Sequence, residues 1–324
     1  MQRQSDTWNH ALDCLRQSIP VTLLYVLESR GSSPGRQGFF MTVSADGRME
    51  GSVGGGIMEH KFVELGREMA QSGSPAYQLR KQIHDKSAGQ DQSGMICSGE
   101  QLLLLYPLGA RDLPVLVTLI RSITDNRNGT LSLSPAGLAF SATVPSEDYH
   151  FSFSNEEDWI YREKTGYKNQ LFIAGGGHCA LALCRLMRDM DFYITLFEDR
   201  EGLNTIEKNS YAHDIILLDD YTGLGHMIPS GKNQYLVIMT FGYRTDDLAL
   251  RSLAGRHFSY LGVLGSRNKM DRLFSAYREE GFPADWLQRI NSPAGLAVNS
   301  QTPEEIAVSI AAAIIGVKNG ASLP

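Results

Sequence analysis

The stretch Gln170–Arg200 constrains this chain more than any other. A short apolar run, Leu171 to Ala174, is long enough for a buried strand, and the three glycines Gly175, Gly176 and Gly177 follow it. Residues 178–190 then carry Leu181, Leu183, Cys184, Leu186 and Met187 at helical spacing. A second strand-like run, Phe192 to Phe197, ends in Glu198-Asp199. Strand, glycine turn, helix, strand and terminal acid form the βαβ unit of dinucleotide-binding folds, written here as Gly175-x-Gly177-x-x-Ala180.

Each part has a physical reason. Gly175 permits the tight turn, bare backbone at Gly177 lets a phosphate approach, and Ala180 lets helix and strand pack closely. The N–H groups opening the helix at His178 to Ala180 have no partner within it and lie at its positive end, which suits an anion. Glu198 lies 21 residues after Gly177, near the spacing at which an acid meets a ribose hydroxyl. The alternative is a glycine turn that packs a βαβ unit and binds nothing.

Further apolar strands at Ile215–Leu218, Tyr235–Thr240 and Tyr260–Leu264 alternate with helical segments, which predicts a parallel sheet covered on both faces. Leu264-Gly-Ser-Arg-Asn-Lys269 repeats the pattern of strand, glycine turn and basic helix start. Thr302-Pro-Glu-Glu305 is a capping box with proline in the first helical position, so a closing helix runs to Val317.

The first half reads differently. A helix over residues 6–18 stops before Pro20, and Val21–Leu27 is a strand leading into a polar loop, Glu28–Gly38, with Arg30 and Arg36. Asp46-Gly47 turns a hairpin, and Gly51-Ser-Val-Gly54-Gly55-Gly56 opens a helix at residues 57–69. The segment 72–92 is polar and irregular at its end. Gly94–Glu100 is a second glycine-flanked turn, followed by a strand at Gln101–Tyr106, a helix at 113–122 and a meander of short strands over 130–153. The polar run Asn155–Asn169 marks the boundary, giving domains at 1–165 and 166–324. The expected fold is α/β: a C-terminal Rossmann-type doubly wound parallel sheet behind a mixed α+β N-terminal domain.

Composition narrows the function classes. A net charge of −6 gives no electrostatic footprint for nucleic acid or anionic membranes. No apolar stretch approaches the roughly 20 residues that span a bilayer, and the N-terminus lacks the apolar core of a secretory signal. Cys14, Cys97, Cys179 and Cys184 are too few and too scattered for a disulfide framework, so a cytoplasmic protein is expected. No HxH, HExxH or Cys/His cluster offers a metal site.

Several motifs together resemble the xanthine dehydrogenase accessory protein family (XdhC/CoxI type), which serves molybdenum hydroxylases. In the first half they are Arg30-Gly-Ser-Ser-Pro-Gly35, Gly51-Ser-Val-Gly-Gly-Gly-Ile-Met-Glu59 and Met95-Ile-Cys97-x-Gly99-Glu100. In the second they are Gly175-x-Gly177-His178, Glu198-Asp199-Arg200, Gly262-x-x-Gly265-Ser266-Arg267 and Thr302-Pro-Glu-Glu-Ile-Ala307. The resemblance implies a protein that binds the molybdenum cofactor (molybdopterin) as cargo. It implies help with sulfuration by a cysteine desulfurase and insertion into an apo-molybdenum hydroxylase, with a homodimer possible. Many members carry Thr-His-x-His after the fourth strand of the second domain, where this chain has Thr240-Phe-Gly-Tyr243. Ser98 replaces the first glycine of the usual Cys-Gly-Gly turn.

Cys97 is either a thiolate in a turn of exposed amides, able to hold a persulfide, or a buried thiol acting as a small hydrophobe. Glu59 either orients a pterin amide or occupies a solvated first helical turn. The cofactor-binding candidates are Arg30, Gly54, Gly55, Gly56, Gly175, Gly176, Gly177, His178, Glu198, Asp199, Arg200, Ser266 and Arg267, with Arg36 and Lys269 as further phosphate contacts. The βαβ unit alone suggests the alternative of an NAD(P)-dependent oxidoreductase, although no Tyr/Lys or His/Asp arrangement for hydride transfer accompanies it.

Overall fold

The structure is a computed structural model that describes residues 2–83 and 99–321, with backbone only at Gln2, Arg3, Ile57, Ile83 and Arg267. The chain divides into two compact units, Met1–Gly166 and Tyr167–Pro324.

In the first unit, helix α1 (Gln2–Arg16) precedes strands β1 (Val21–Gly31), β2 (Phe40–Ser44) and β3 (Met49–Gly51). Helix α2 (Gly56–Ser72), β4 (Gln78–Ile83), β5 (Gly99–Leu108) and α3 (Leu113–Thr124) follow. A second set, β6 (Gly129–Ser134), β7 (Gly137–Ser141), β8 (Tyr149–Asn155) and β9 (Asp158–Thr165), closes the unit. The strands form two antiparallel sheets, ordered β3-β2-β1-β5-β4 and β7-β6-β9-β8. The period-two pattern of β1 and β5 assigns their faces. Leu24, Val26, Leu103 and Leu105 pack under Met58, Phe62 and Val63 of α2. Leu23, Tyr25, Leu104 and Tyr106 face the opposite way and join α1, α3 and the second sheet in one core. There the buried Glu163 side chain accepts from Tyr25 at 2.5 Å and Tyr161 at 2.8 Å, which satisfies polar oxygens that burial would otherwise penalise.

Two segments differ from the sequence expectation. Residues 78–83, inside the polar segment 72–92, form edge strand β4, which the sequence does not signal, and the irregular end of that segment lies outside the described residues. The polar run 155–169 is not a linker over its length, because 158–165 is β9, inside the second sheet. In β9 the buried Trp159, Tyr161, Glu163 and Thr165 alternate with Asp158, Ile160, Arg162 and Lys164. Charges on the outward positions hid a period-two pattern, and one inward position is itself an acid.

The second unit is built from β10 (Asn169–Ala174), α4 (His178–Arg188), β11 (Phe192–Glu198), α5 (Asn204–Glu207), β12 (Asp214–Leu217) and α6 (Leu224–Met227). It continues with β13 (Gly231–Ile238), α7 (Tyr243–Ser252), β14 (Phe258–Val263), α8 (Arg267–Glu279), α9 (Ala284–Gln288), β15 (Ile290–Asn291) and α10 (Pro303–Lys318). All six strands are parallel, ordered β12-β11-β10-β13-β14-β15, so the order reverses between β10 and β13. That is the Rossmann arrangement, and the crevice outside the carboxyl ends of β10 and β13 is its binding position. One face of the sheet packs against α4 and α10, the other against α7 and α8. The capping box of α10 forms as expected, with Glu305 N–H donating to Thr302 Oγ1 and Thr302 N–H to Glu305 Oε2. Among the described residues no helix is long and apolar enough to cross a membrane.

At the amino end of the parallel strands, His213 is held in an aromatic cage. Its ring stacks on Tyr193 with centroids 4.7 Å apart, its Nδ1 accepts from the Ile194 amide at 2.9 Å, and its Nε2 lies 2.5 Å from Tyr167 Oη. Burial, reinforced by the Arg188 charge, pushes the imidazole pKa from 6.5 down to about 4. Between those values the unfolded chain binds a proton that the folded one refuses, so stability falls as pH drops from about 6.5 towards 4. We expect the thermal midpoint of wild type to decline across that window and that of His213→Phe to be flatter there, though lower at neutral pH. An NMR titration of His213 with a midpoint near 6.5 contradicts this.

Candidate functional site

The glycine turn after β10 is closed from below by Glu198. This side chain is fully buried at the end of β11. Oε2 accepts from Gly176 N–H at 2.5 Å, and Oε1 from the amides of Asp199 and Arg200, each at 3.1 Å. The Arg200 guanidinium completes the set in a two-point contact, Nε to Oε1 at 2.7 Å and Nη2 to Oε2 at 2.9 Å. Burial opposes the charge on Glu198. The hydrogen bonds from Arg200, Gly176 and Asp199 outweigh it and hold the carboxyl below its ordinary range. The same contact raises the Arg200 pKa, and burial together with the neighbouring Glu198 raises that of Asp199.

The three glycines therefore do different things. Gly175 has φ +107, and a Cβ there would meet Met239 O at 2.4 Å, so the turn and the close approach of β13 both require it. A Cβ on Gly176 would meet the Ile206 side chain at 2.3 Å. Gly177 has φ −71, a conformation open to any residue, and nothing lies within 4 Å of its Cβ position. The chain's own packing does not need glycine there. Gly177 is the N-cap of α4, no side chain caps that helix, and His178 is exposed at its first position. An uncapped helix start with open space before it is the geometry an anionic group fits.

This geometry reassigns two residues. Glu198, placed by spacing at a ribose hydroxyl, is turned into the loop and its oxygens are taken; Asp199, partly exposed, is the acid left at the strand end. Arg200 is held by Glu198, and its guanidinium carbon lies 5.3 Å from the ring centroid of Phe241. A network the sequence reading missed sits beside them. Asp246, fully buried in the first turn of α7, accepts from Thr240 N–H at 3.2 Å, from Thr240 Oγ1 and from Lys269 Nζ. Burial pushes its pKa up, and the hydrogen bonds from Lys269 and Thr240 offset that only in part. Lys269, expected at a phosphate, is this carboxylate's partner. An acid in the first turn after a strand-end threonine was the available signal. Ser266 caps α8, its Oγ accepting from Lys269 N–H, and the Arg267 side chain lies outside the described residues.

The first unit has a parallel device. Glu59 Oε2 accepts from Ser52 Oγ at 2.6 Å and from the Val53 and Gly55 amides, each at 2.9 Å. The acid thus braces its own glycine turn, and the Gly55 amide, expected to face an anion, faces a carboxylate of the chain. Gly54 (φ +130) packs on the Gly35 backbone, whereas Gly55 and Gly56 have φ +75 and Gly55 meets nothing within 4 Å. Arg30 is exposed and paired with Glu28 at 2.9 Å, on the rim of a cavity of about 580 Å³ that Lys81, Glu100, Phe151 and Phe153 also line. Arg36 donates to Gly31 O at 2.9 Å. Cys97 lies outside the described residues. Cys184 is buried, and burial pushes its pKa up to about 11; Cys179 is raised for the same reason. Both are thiols rather than nucleophiles. Among the described residues no cluster of His, Cys, Asp or Glu could hold a metal ion.

Two family models match the chain: the XdhC Rossmann domain over residues 171–314, and the XdhC and CoxI family over residues 14–81. The uncharacterized protein YqeB of Escherichia coli (strain K12) is 26% identical over 307 residues, 94% of this chain and 45% of that protein. A second relative, from Bacillus subtilis (strain 168) and named as a probable xanthine dehydrogenase subunit, is 27% identical over 172 residues, 51% of this chain and 48% of that protein. The chain thus spans about half the length of these curated relatives. A crystal structure of a xanthine dehydrogenase from Bacillus halodurans superposes with TM-score 0.71 at 23% identity, covering 98% of this chain and 97% of that one, which establishes a shared fold.

The two bracing acids differ in burial, and their removal should differ in cost. Glu198→Ala strands the Arg200 charge and three amides. We expect a loss of about 2–3 kcal/mol, below the ~3–5 kcal/mol of a fully buried pair because Arg200 can re-solvate. Glu59→Ala should cost about 1 kcal/mol, the scale of a lost helix cap. Urea unfolding of both variants checks the order, and equal losses would show that Glu198 is not the stronger brace.

Proposed function

The chain belongs to the XdhC and CoxI family, and from that premise we propose that it is an accessory protein in the maturation of a xanthine dehydrogenase-type molybdoenzyme. In this reading it binds the molybdenum cofactor as cargo, helps it acquire sulfur from a cysteine desulfurase, and passes it to the apo-enzyme. The observation that carries the reading is the cradle at Gly177. Its glycine serves neither the backbone conformation nor the packing of the chain itself, so the open space before α4 is explained by a phosphate-bearing guest. The cofactor would supply the molybdenum that receives the sulfur; the chain's residues bind and orient. Amides at the start of α4 take the phosphate, and Asp199 stands at the neighbouring strand end for polar groups next to it.

The alternative, an NAD(P)-dependent oxidoreductase, places a dinucleotide on the same turn. The inward rotation of Glu198 leaves Asp199 as the acid at the strand end in either reading, and it is the family match that favours the accessory-protein reading. The name of the Bacillus subtilis relative, a probable xanthine dehydrogenase subunit, supports a molybdoenzyme as the partner.

Mass spectrometry of small molecules released from anaerobically purified protein tests the proposal. We expect a molybdopterin species from wild type and at least a ten-fold loss from Gly177→Val. The variant should keep the wild-type melting temperature, since beyond residues 176 and 178 no protein atom lies within 4 Å of the new Cβ. Undiminished pterin in the variant, or NAD(P) in place of pterin, overturns the reading. Cys97 carries the sulfur-handling role the resemblance implies. Cys97→Ser should therefore lower the sulfurated, active fraction of the client enzyme severalfold without changing the amount of pterin bound, and unchanged client activation removes Cys97 from that role.

A further inference from the structure

Phe241 is the most solvent-exposed large apolar side chain among the described residues, at 82%, yet it is not loosely placed. One face of its ring lies over the Arg200 guanidinium, 5.3 Å from centroid to carbon. With so much of the ring in water, the opposite face is open. Arg200 is itself fixed by its two-point contact with Glu198, whose Oε2 also accepts from the Gly176 amide of the glycine turn. The aromatic ring, its cationic support and the turn are therefore one connected assembly. From the other side, Thr240 is pinned by Asp246, and Gly242 N–H donates to Thr245 Oγ1 at 3.2 Å. The backbone just before Phe241 also touches the turn: a Cβ on Gly175 would come within 2.8 Å of Thr240 Cα. On its other flank Gly242 has φ −171 and, beyond its two chain neighbours, nothing within 4 Å of its Cβ position. Tyr243, 44% exposed, begins α7 immediately beyond.

A flat apolar face with a cation behind it and open space in front is suited to stacking, which depends on π-surface and tolerates any planar heterocycle. We propose that Phe241, backed by Arg200, is the stacking surface for the planar heteroaromatic ring of a phosphorylated ligand whose phosphate lies at Gly177. This deepens the proposed role of the Gly177 cradle and rests on it. The guanidinium withdraws into its ion pair with Glu198 and is not a phosphate contact; its role is to hold the ring and polarise it. The shared chemistry is a planar ring joined to a phosphate, which a pterin monophosphate and a purine nucleotide both present.

Calorimetric titration of the full chain separates the stacking surface from the cradle. Ribose 5-phosphate probes the cradle alone; adenosine monophosphate and neopterin monophosphate add a ring of each kind. In wild type at least one ring-bearing probe should bind about ten-fold more tightly than ribose 5-phosphate, the scale of one stacked base. Phe241→Ala should erase that preference and leave ribose 5-phosphate binding unchanged, while Phe241→Trp keeps it. Whichever ring gains more identifies the source of the ligand. A preference that survives Phe241→Ala, or none in wild type while ribose 5-phosphate binds, overturns the stacking surface and leaves the cradle standing. Failure of all three probes to bind wild type overturns both.

Discussion

The buried carboxylate of Glu198 is the contact on which the carboxyl edge of the parallel sheet depends. A charge with no solvent exposure persists only if nearly every lone pair is met, and here three amides and a guanidinium meet it. The consequence is mechanical. The glycine turn after β10, the end of β11 and Arg200 cannot move independently, since displacing any one leaves the acid short of a donor. A glycine-rich turn would otherwise be the most mobile part of such a sheet. What looks like a flexible phosphate loop is a loop with a rigid floor and one open wall, at Gly177.

Glu59 does a similar job in the first unit, and the likeness is informative about what glycine turns are for. Both turns leave backbone amides that no strand or helix can satisfy, and in both the chain answers with one of its own carboxylates. An internal acid takes some amides out of play and puts negative charge close by. The amides that remain for a ligand are then the ones such an acid does not reach, which in the second unit are those opening α4. Counting glycines overstates an anion site. Asking which glycine positions the protein itself requires gives a smaller and sharper one.

The sequence made the parallel unit readable because buried strands are continuous apolar runs and the intervening helices keep their 3.6-residue period. The Gly175–Gly177 turn and the capping box at Thr302 stand where turn chemistry puts them, and the strands end within two residues of where periodicity puts them. Strand β4 was hidden by Arg80 and Lys81, consecutive charges on its two faces, and β9 by charges on its outward face and by the inward-facing Glu163. The direction of Glu198 was beyond reach for another reason. Spacing fixes where a residue lies along the chain, but the rotamer is chosen by donors that come together only in the folded state. Lys269 shows the same limit, since its partner Asp246 lies 23 residues away on another helix.

The turn from Thr240 to Asp246 shows how such a site can change its chemistry without changing its shape. Everything that closes it involves Thr240, Gly242, Thr245, Asp246 and Lys269; neither Phe241 nor Tyr243 supplies a hydrogen bond to it. The side chains at 241 and 243 project from a frame that does not depend on them, with 82% and 44% of their surface in solvent. The Thr-His-x-His turn, from which this sequence departs within its family resemblance, would put two imidazoles at these places. Replacing them by Phe241 and Tyr243 removes groups that titrate near neutrality and that could ligate a metal, and it adds neutral π-surface instead. Because the frame is independent, that exchange alters what the crevice can recognise at little cost to the fold. The same independence explains why an aromatic ring can stand in water here at all: its position is set by Arg200 and by the closed turn beneath it, not by burial.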